Sequence, residues 1–239
     1  MQVKPPRKQP REARRGQLIE ATIEVIAARG YARVTMAEVA RVAGLAHGLV
    51  NFHFQSKDLL LTETLTHLWE EYRENWGAAL AGAGDDPASQ LDALIRADFA
   101  PALCTPARRG AWAAFWGEAQ CRPLYQEKCA MNDAAYIGHL ERICAALLTD
   151  ETRAPRVARV IRVTIEGVWM DMITQSAPYS REEALATVQT AAQAFFPARF
   201  GPDGLMGQSG LTGADALVLT ERAAMADYDP ENQAALGSL

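Results

Sequence analysis

Residues 35–54 carry the pattern of two short helices joined by a tight turn, and this pattern restricts the fold more than any other part of the chain. Thr35 followed three residues later by Glu38 is a capping box, in which each side chain satisfies a free backbone N–H at a helix start. Gly44 can take the positive φ needed where that helix ends. The segment therefore predicts a helix-turn-helix, whose second helix enters the major groove of DNA.

The second helix is expected to bury Leu49 and Val50 and to turn its polar side toward DNA. Asparagine can pair with adenine through two hydrogen bonds, so Asn51 is a candidate for reading bases. Glycine at position 48 lets the helix backbone approach DNA closely. Basic and hydroxyl side chains nearby would hold phosphates, which fixes the register of the protein without reading sequence. The predicted DNA-contacting residues are Arg14, Arg15, Thr35, Ala46, His47, Gly48, Asn51, His53 and Lys57.

The helix-turn-helix runs into Phe54-Gln-Ser-Lys-Asp-Leu59, and the whole stretch resembles the tetracycline-repressor (TetR) family of bacterial transcription regulators. The resemblance covers roughly residues 14–76. It implies a homodimer that presents two recognition helices to a palindromic site in double-stranded DNA. Many family members carry Ser or Thr where this chain has Ala46, so the recognition helix lacks its usual N-cap. Such a loss costs about 1 kcal/mol, which neighbouring packing can offset.

Charge is distributed very unevenly along the chain. The net charge of −5 argues at first against a nucleic-acid binder, but residues 1–15 hold six basic side chains and one acidic one, whereas residues 16–239 hold 18 basic and 28 acidic. A basic arm placed just before a helix-turn-helix can neutralise phosphates and release counterions. We therefore expect the arm to contact DNA; the alternative is a disordered solubilising tail.

Length and motif content limit the remaining possibilities. The 239 residues suffice for one large or two modest domains, and no run of about 18 apolar residues or signal sequence occurs, so we expect a cytoplasmic protein with no membrane partner. The four cysteines, at positions 104, 121, 129 and 144, show no metal-ligand spacing and are expected to be buried, reduced thiols. The motifs of hydrolases, zinc proteases and phosphate-binding loops are absent, so we expect no enzyme, no cofactor and no metal, with an enzyme as a remote alternative.

Helical periodicity dominates, and no segment alternates with period two long enough to predict a convincing strand. The expected fold is all-α, with about nine helices: an N-terminal three-helix head with the helix-turn-helix, and a C-terminal helical bundle for effector binding and dimerisation. A long helix starting at Ser56 carries Leu61, Leu65, Leu68, Tyr72 and Trp76 on one side and would act as a lever between head and body. The predicted domains are a basic flexible arm (1–13), the DNA-binding head (14–56), the effector and dimerisation body (57–196) and a Gly-rich acidic tail (197–239).

Aromatic residues are concentrated in the body. The pattern Trp112-x-x-Phe115-Trp116, with Asn132 and with Glu166-Gly-Val-Trp169, resembles the C-terminal domain of the choline-responsive BetI-type repressors over roughly residues 85–195. The resemblance implies a small effector pocket. Its predicted ligand-contacting residues are Trp112, Phe115, Trp116, Asn132, Tyr136 and Trp169.

A quaternary ammonium effector would gain cation–π attraction from such side chains, with Asp133, Glu166 or Asp171 as a counter-charge. Two alternatives stay open at this point. Tryptophans at helical spacing are often plain core, and an apolar effector would use the same aromatic residues only as walls.

Two further segments complete the sequence-based picture. The wide apolar face of residues 155–175, and the helix that a second capping box starts at Ser180, suit the four-helix bundle through which family members dimerise. From residue 197 glycines recur every third position, at too few triplets for a collagen helix, so this stretch is expected to be a flexible linker. The sequence assigns the tail no function.

Overall fold

The computed structural model of the chain describes residues 11–119, 121–175 and 180–207, apart from the side chains of residues 129 and 132. Most of the basic arm, Cys129 and Asn132 as side chains, and the tail beyond residue 207 lie outside this description. Within it, the expected all-α fold is confirmed, with one small hairpin added. The elements are α1 (Arg11–Arg29), a 3-10 turn (Tyr31–Arg33), α2 (Met36–Val42), α3 (His47–His53), α4 (Lys57–Gly82), α5 (Pro87–Asp98), α6 (Pro106–Ala119), α7 (Pro123–Leu147), a second 3-10 turn (Glu151–Arg153), α8 (Ala154–Thr174), α9 (Arg181–Phe195), β1 (Phe200–Gly201) and β2 (Gly204–Leu205).

The head consists of α1, α2 and α3, and its turn follows from two local signals. The Thr35 hydroxyl accepts a hydrogen bond from the Glu38 backbone N–H at 3.2 Å, which caps α2. The reciprocal half of the capping box does not form, because the Glu38 carboxylate instead pairs with Arg41 and Arg29 at 2.8 and 2.7 Å. Gly44 takes a φ of 63°, a conformation that only glycine adopts without strain. These features hold α2 and α3 in the expected helix-turn-helix.

Helix α4 connects the head to the body. Ser56 caps it by accepting a hydrogen bond from the Leu59 backbone N–H at 3.1 Å. Its predicted apolar stripe is confirmed, since every member is buried: Leu61, Leu65, Leu68, Tyr72 and Trp76.

Head and body meet where α1 packs on α6. Gly110 lies so close to α1 that a Cβ atom there would sit 3.0 Å from the Cβ of Ala27. Nearby, the hydroxyl groups of Tyr31 in the head and Tyr125 in α7 form a buried hydrogen bond of 2.8 Å, and Phe115 packs edge-on against both rings. The guanidinium of Arg122 lies over the same two tyrosine rings, at 5.2 and 5.6 Å from their centres. The corner between α6 and α7 is thereby fixed to the head.

The first residues of the predicted flexible tail are ordered, so that part of the linker expectation is wrong. Residues 199–207 form a hairpin in which Phe200 is fully buried. Arg199 pairs with Asp86, the N-cap of α5, at 2.6 Å, and this guanidinium lowers the pKa of Asp86 to about 2. Gly204 has a φ of 95° and packs so tightly on Gln189 that a Cβ would come within 2.7 Å of Nε2. The glycines here serve a tight turn rather than flexibility.

The structure bears on two features considered from the sequence, the cysteines and the lack of a long apolar run. Cys144 is buried as expected and Cys104 is partly buried, but Cys121 is exposed because it lies at the turn between α6 and α7. None of the helices in the described part of the chain combines the length and apolarity needed to span a bilayer.

Candidate DNA-binding surface and effector cavity

The exposed side of α3 presents three of the predicted base-facing residues together. His47, Gly48 and Asn51 are all exposed, and Asn51 Nδ2 lies 3.5 Å from His47 Nδ1. A Cβ on Gly48 would meet nothing within 4 Å, so this side of the helix is open to close approach. Ala46 stands at the N-cap without a side-chain cap bond. The result is a short helix whose polar side faces outward.

Two assignments on α3 are corrected by the structure. His53, expected to face DNA, is only 8% exposed, because it follows Val50 by three residues and lies on the same buried side. Leu49, expected inside, is partly exposed, and Phe52 is 66% exposed with the Arg11 guanidinium 5.7 Å from its ring centre. Phe52 is therefore a surface residue that the sequence analysis missed. The sequence signal for its exposure is its place directly after Asn51, near the end of the seven-residue helix α3.

The predicted phosphate-contacting side chains are each engaged within the protein. Lys57 Nζ donates to the Ala32 carbonyl at 3.1 Å, and Arg14 donates to Gln17 at 2.9 Å. Arg15 pairs with Glu63 at 2.9 Å, and its guanidinium lies 4.6 Å from the centre of the Phe54 ring. The Thr35 hydroxyl caps α2. Phosphate contact by these groups would require them to share or exchange their present partners.

A cavity of about 370 Å³ lies in the body between α4, α5, α6, α7 and α8. Most of its lining is apolar, and it includes four of the chain's five tryptophans. The lining residues are Trp69, Tyr72, Asp98, Leu103, Trp112, Trp116, Ala119, Asp133, Arg162, Ile165, Glu166, Trp169 and Met170.

The aromatic rings of the cavity form a continuous series of contacts in space. Trp69 meets Trp112 edge-to-face, with ring centres 4.7 Å apart and planes inclined by 78°. Trp112 continues to Trp116, one helical turn further along α6, at 6.2 Å, and Trp69 also contacts Tyr72 at 5.8 Å. Rings held at different angles offer a bound group several aromatic faces, and such faces attract cations.

The polar part of the lining centres on Asp98, at the end of α5. This carboxylate is 1% exposed and accepts hydrogen bonds from the hydroxyl groups of Tyr72, at 2.7 Å, and of Tyr136. Burial raises the pKa of Asp98, while the charge of Arg162 and the two tyrosine donors act in the opposite direction. The Trp169 indole N–H donates to the Asp98 carbonyl at 3.1 Å. Asp98 thus joins α4, α5, α7 and α8 at one point of the cavity.

Acidic groups outnumber basic ones in the lining. Arg162 donates to the Tyr72 hydroxyl at 3.0 Å and forms ion pairs with Asp133 and Glu166, each at 3.0 Å. Burial raises the pKa of Asp133, and Arg162 opposes that shift. With Asp98 included, three carboxylates face one guanidinium, so a cation entering the cavity finds an attractive field.

The six predicted ligand residues separate into three groups. Trp112, Trp116 and Trp169 line the cavity. Phe115 and Tyr136 do not: Phe115 packs against the head, and Tyr136 lies behind Asp98, so their assignment as ligand contacts is corrected. The Asn132 side chain lies outside the description.

The acidic candidates also divide, since Asp133 and Glu166 line the cavity and Asp171 does not. Trp69, Asp98 and Arg162 also line the cavity, although none of them is among the residues predicted from the sequence. The sequence signal for Trp69 is its position three residues before Tyr72, which puts both on the same side of α4. Across the described ranges, no group of three or more His, Cys, Asp or Glu side chains is placed to hold a metal ion.

Comparison with known sequences gives two family matches that together cover most of the described chain. Residues 18–64 match the model of bacterial regulatory proteins of the tetR family, and residues 87–197 match the C-terminal domain of BetI-type transcriptional repressors. A protein from Paraburkholderia xenovorans named HTH-type transcriptional regulator BetI is 31% identical over 179 residues, which is 74% of this chain and 90% of the relative. The protein of the same name from Rhizobium meliloti is 32% identical over 183 residues, covering 74% and 86% of the two chains.

Solved structures agree in fold. A transcriptional regulator from Pseudomonas aeruginosa PAO1 superimposes with a TM-score of 0.67 at 20% identity, covering 81% of this chain and 97% of that one. A regulator from Saccharomonospora viridis, solved in complex with choline, gives a TM-score of 0.66 at 19% identity, covering 76% and 95%.

Proposed function

Because the chain belongs to the TetR family of transcriptional regulators and carries a BetI-type C-terminal domain, we propose that it is a homodimeric repressor released from a palindromic operator by a quaternary ammonium cation. The observation that carries the effector assignment is the cavity itself. It combines several indole rings with three carboxylates and one guanidinium, which favours a positively charged, bulky apolar group. From here this space is called the effector cavity.

The DNA-binding part of the proposal uses the exposed side of α3. Asn51 and His47 would face base edges in the major groove, and Gly48 would let the helix backbone come close. Phe52 adds an exposed apolar group that suits the methyl group of thymine. Arg14, Arg15, Thr35 and Lys57 would hold phosphates at the rim, together with the basic arm. Ala46 would lie at the N-terminal end of the recognition helix, beside the DNA.

The dimer would form through α8 and α9. Val163 is 54% exposed on α8, and Val160 on the same side is also exposed, which is costly for a monomer and suits a covered interface. Val163→Glu should convert the protein from dimer to monomer in light scattering coupled to size-exclusion chromatography. Leu124→Glu, at a similarly exposed apolar position on α7, is the matched control and should stay dimeric.

Release would follow from the position of the effector cavity on α4. Trp69 and Tyr72 belong both to the cavity lining and to the helix that carries the DNA-binding head. A cation that is bound more tightly in one arrangement of the two heads shifts the dimer toward that arrangement, whereas equal affinity for both would shift nothing. A regulator of this fold has been solved with choline, so choline is the first cation to test.

The test compares choline with 3,3-dimethylbutan-1-ol, in which an uncharged carbon replaces the nitrogen at nearly the same shape. Isothermal titration should show choline binding at least tenfold more tightly, because each aromatic face contributes about 0.5–2 kcal/mol toward a cation and little toward the neutral group. Trp116→Leu should weaken choline binding. Trp76→Phe, which alters a tryptophan outside the effector cavity, should leave it unchanged.

Repression and release are tested with a duplex selected by the protein from a random-sequence library. Fluorescence anisotropy should show that choline lowers the affinity for this duplex. If the neutral alcohol binds as well as choline, the same-fold alternative with an apolar effector is favoured. If neither ligand binds, the quaternary ammonium assignment is wrong, but the DNA-binding function is unaffected.

A further inference from the structure

The indole N–H of Trp69 lacks a hydrogen-bond partner among the described residues, although its nitrogen is shielded from solvent. The side chain is 5% exposed and lines the effector cavity. The Trp169 indole in the same lining differs, since it donates to the Asp98 carbonyl at 3.1 Å. A buried donor without an acceptor costs free energy, and such groups are rare in folded proteins unless they have a role.

The neighbours of Trp69 do not supply a good acceptor. Trp112 meets it edge-to-face, and an aromatic face is at best a weak acceptor. The Tyr72 hydroxyl already donates to Asp98 and accepts from Arg162. The described residues therefore supply no acceptor for the Trp69 N–H, and the ring lines a cavity in which a bound molecule can supply one.

One other shielded donor of the lining, Arg162 Nε, is in a different position. It lies 3.0 Å from a carboxylate oxygen of Glu166, so an opposite charge compensates it even though the hydrogen-bond angle is poor. Trp69 has no such compensation. This contrast makes Trp69 the better candidate for recognising a polar group of the ligand.

We propose that Trp69 selects effectors that carry an oxygen acceptor beside the quaternary ammonium group, by donating its indole N–H to a hydroxyl or carbonyl oxygen as the ring turns toward the cavity. This inference rests on the proposed function and adds a second requirement to it. The cation would be held by the aromatic faces and the carboxylates, and the oxygen would be read from α4. A site built to donate a hydrogen bond rejects an analogue that cannot accept one.

The test compares choline with n-propyltrimethylammonium, in which a methyl group replaces the hydroxyl. Titration of the full-length dimer should give about tenfold tighter binding of choline, the ratio expected for one hydrogen bond. In Trp69→Phe, which keeps an aromatic face and removes the donor, the ratio should fall to about one while both cations still bind. Trp76→Phe, which alters a tryptophan outside the effector cavity, should retain the tenfold preference.

Each outcome of this comparison either supports or overturns the proposed role of Trp69. Equal affinity of the wild type for the two cations would overturn the role of Trp69 and leave the quaternary ammonium proposal standing. A tenfold preference that survives in Trp69→Phe, or that is lost in Trp76→Phe instead, would also overturn it. Absence of binding by both cations would remove the proposed effector class as well.

The experiment remains decisive if Trp69→Phe folds poorly. Benzothienylalanine incorporated at position 69 has a ring of the same shape with sulfur in place of the N–H. It should show the same loss of preference, and a retained preference would again count against the proposal.

Discussion

Asn51 has the position and exposure required of a base-reading side chain at the level of a single residue. We expect Asn51→Ala to weaken binding to the selected duplex by about 1–3 kcal/mol, the discrimination carried by one bidentate pair, and to change binding to random duplex little. Anisotropy titrations with both duplexes measure the two losses. Gln55→Ala, at an exposed position just beyond α3, serves as control. Equal losses on both duplexes would exclude Asn51 from base readout.

The buried pair of Tyr31 and Tyr125 offers a second prediction for individual side chains. Tyr31→Phe or Tyr125→Phe leaves the other hydroxyl buried without its partner, so each should lower the free energy of unfolding by about 1–2 kcal/mol. The double variant removes both polar groups and should cost no more than one single change. A double-mutant cycle by urea unfolding measures this coupling, and strictly additive losses would contradict it.

Local chemistry explains which residues could be assigned from sequence. Thr35, Gly44 and Ser56 act through backbone groups within four residues, so their roles as caps and turn were readable. His53 was assigned to the wrong side and Trp69 was not identified, because the surroundings of both depend on what packs against them. In a helix as short as α3, the buried side could have been fixed by Val50 alone, which places His53 inside.

At the level of elements, charged side chains join α1, α4 and α6. Arg108 of α6 pairs with Glu71 of α4 at 2.8 Å and with Glu20 of α1 at 3.2 Å, and His67 of α4 lies 3.2 Å from Glu20. The hydrogen bond to Glu20 raises the pKa of His67, and the same contact lowers the pKa of Glu20. This joint connects the DNA-binding head to the two helices that line the effector cavity.

The contribution of these ion pairs to the stability of the protein should change with pH in a defined direction. Because the folded-state pKa of His67 is raised, its contribution to stability is complete below about pH 6.5 and is lost as pH rises through the folded value. Glu20 acts oppositely, and its contribution is lost only as pH falls below its ordinary range. Both groups are partly exposed, so we expect an effect of about 0.5 kcal/mol.

His67→Gln should therefore reduce stability more at pH 6 than at pH 8.5. Urea midpoints at the two pH values measure the difference, and His47→Gln on exposed α3 is the control. A loss that grows with rising pH would contradict the assignment.

Long-range contacts set the limits of sequence analysis for the elements of the body. The helices were found because their apolar spacing is local, but the effector cavity gathers residues from five of them. In the sequence, Asp98 is an ordinary carboxylate at a helix end. Only its contacts with α4, α7 and α8 show that it is buried in the body. The hairpin was missed for the same reason: the glycines at 201 and 204 suggest a linker, and only the contacts with Gln189 and Asp86 show that they form a packed turn.

For the whole molecule, the separation of charge predicts how DNA binding responds to salt. Each phosphate that the protein neutralises adds about 0.9 to the slope of log affinity against log salt concentration. Replacing Lys4, Arg7, Lys8 and Arg11 by glutamine removes four cations from each protomer, so the slope for the dimer should flatten by up to about 7. The reduction should be the same on selected and random duplex, because the contacts are with the backbone.

The control for this prediction keeps the total charge change and moves it to the body. Arg142, Arg153, Arg156 and Arg159 are exposed on α7, α8 and the turn between them, and replacing all four by glutamine gives the same net charge as the arm variant. If net charge alone governed binding, both variants would flatten the slope equally. Because the Debye length is about 8 Å at physiological salt, we expect charges far from the DNA to be screened and the body variant to keep the wild-type slope. An arm variant whose slope is also unchanged would reduce the arm to a solubilising tail.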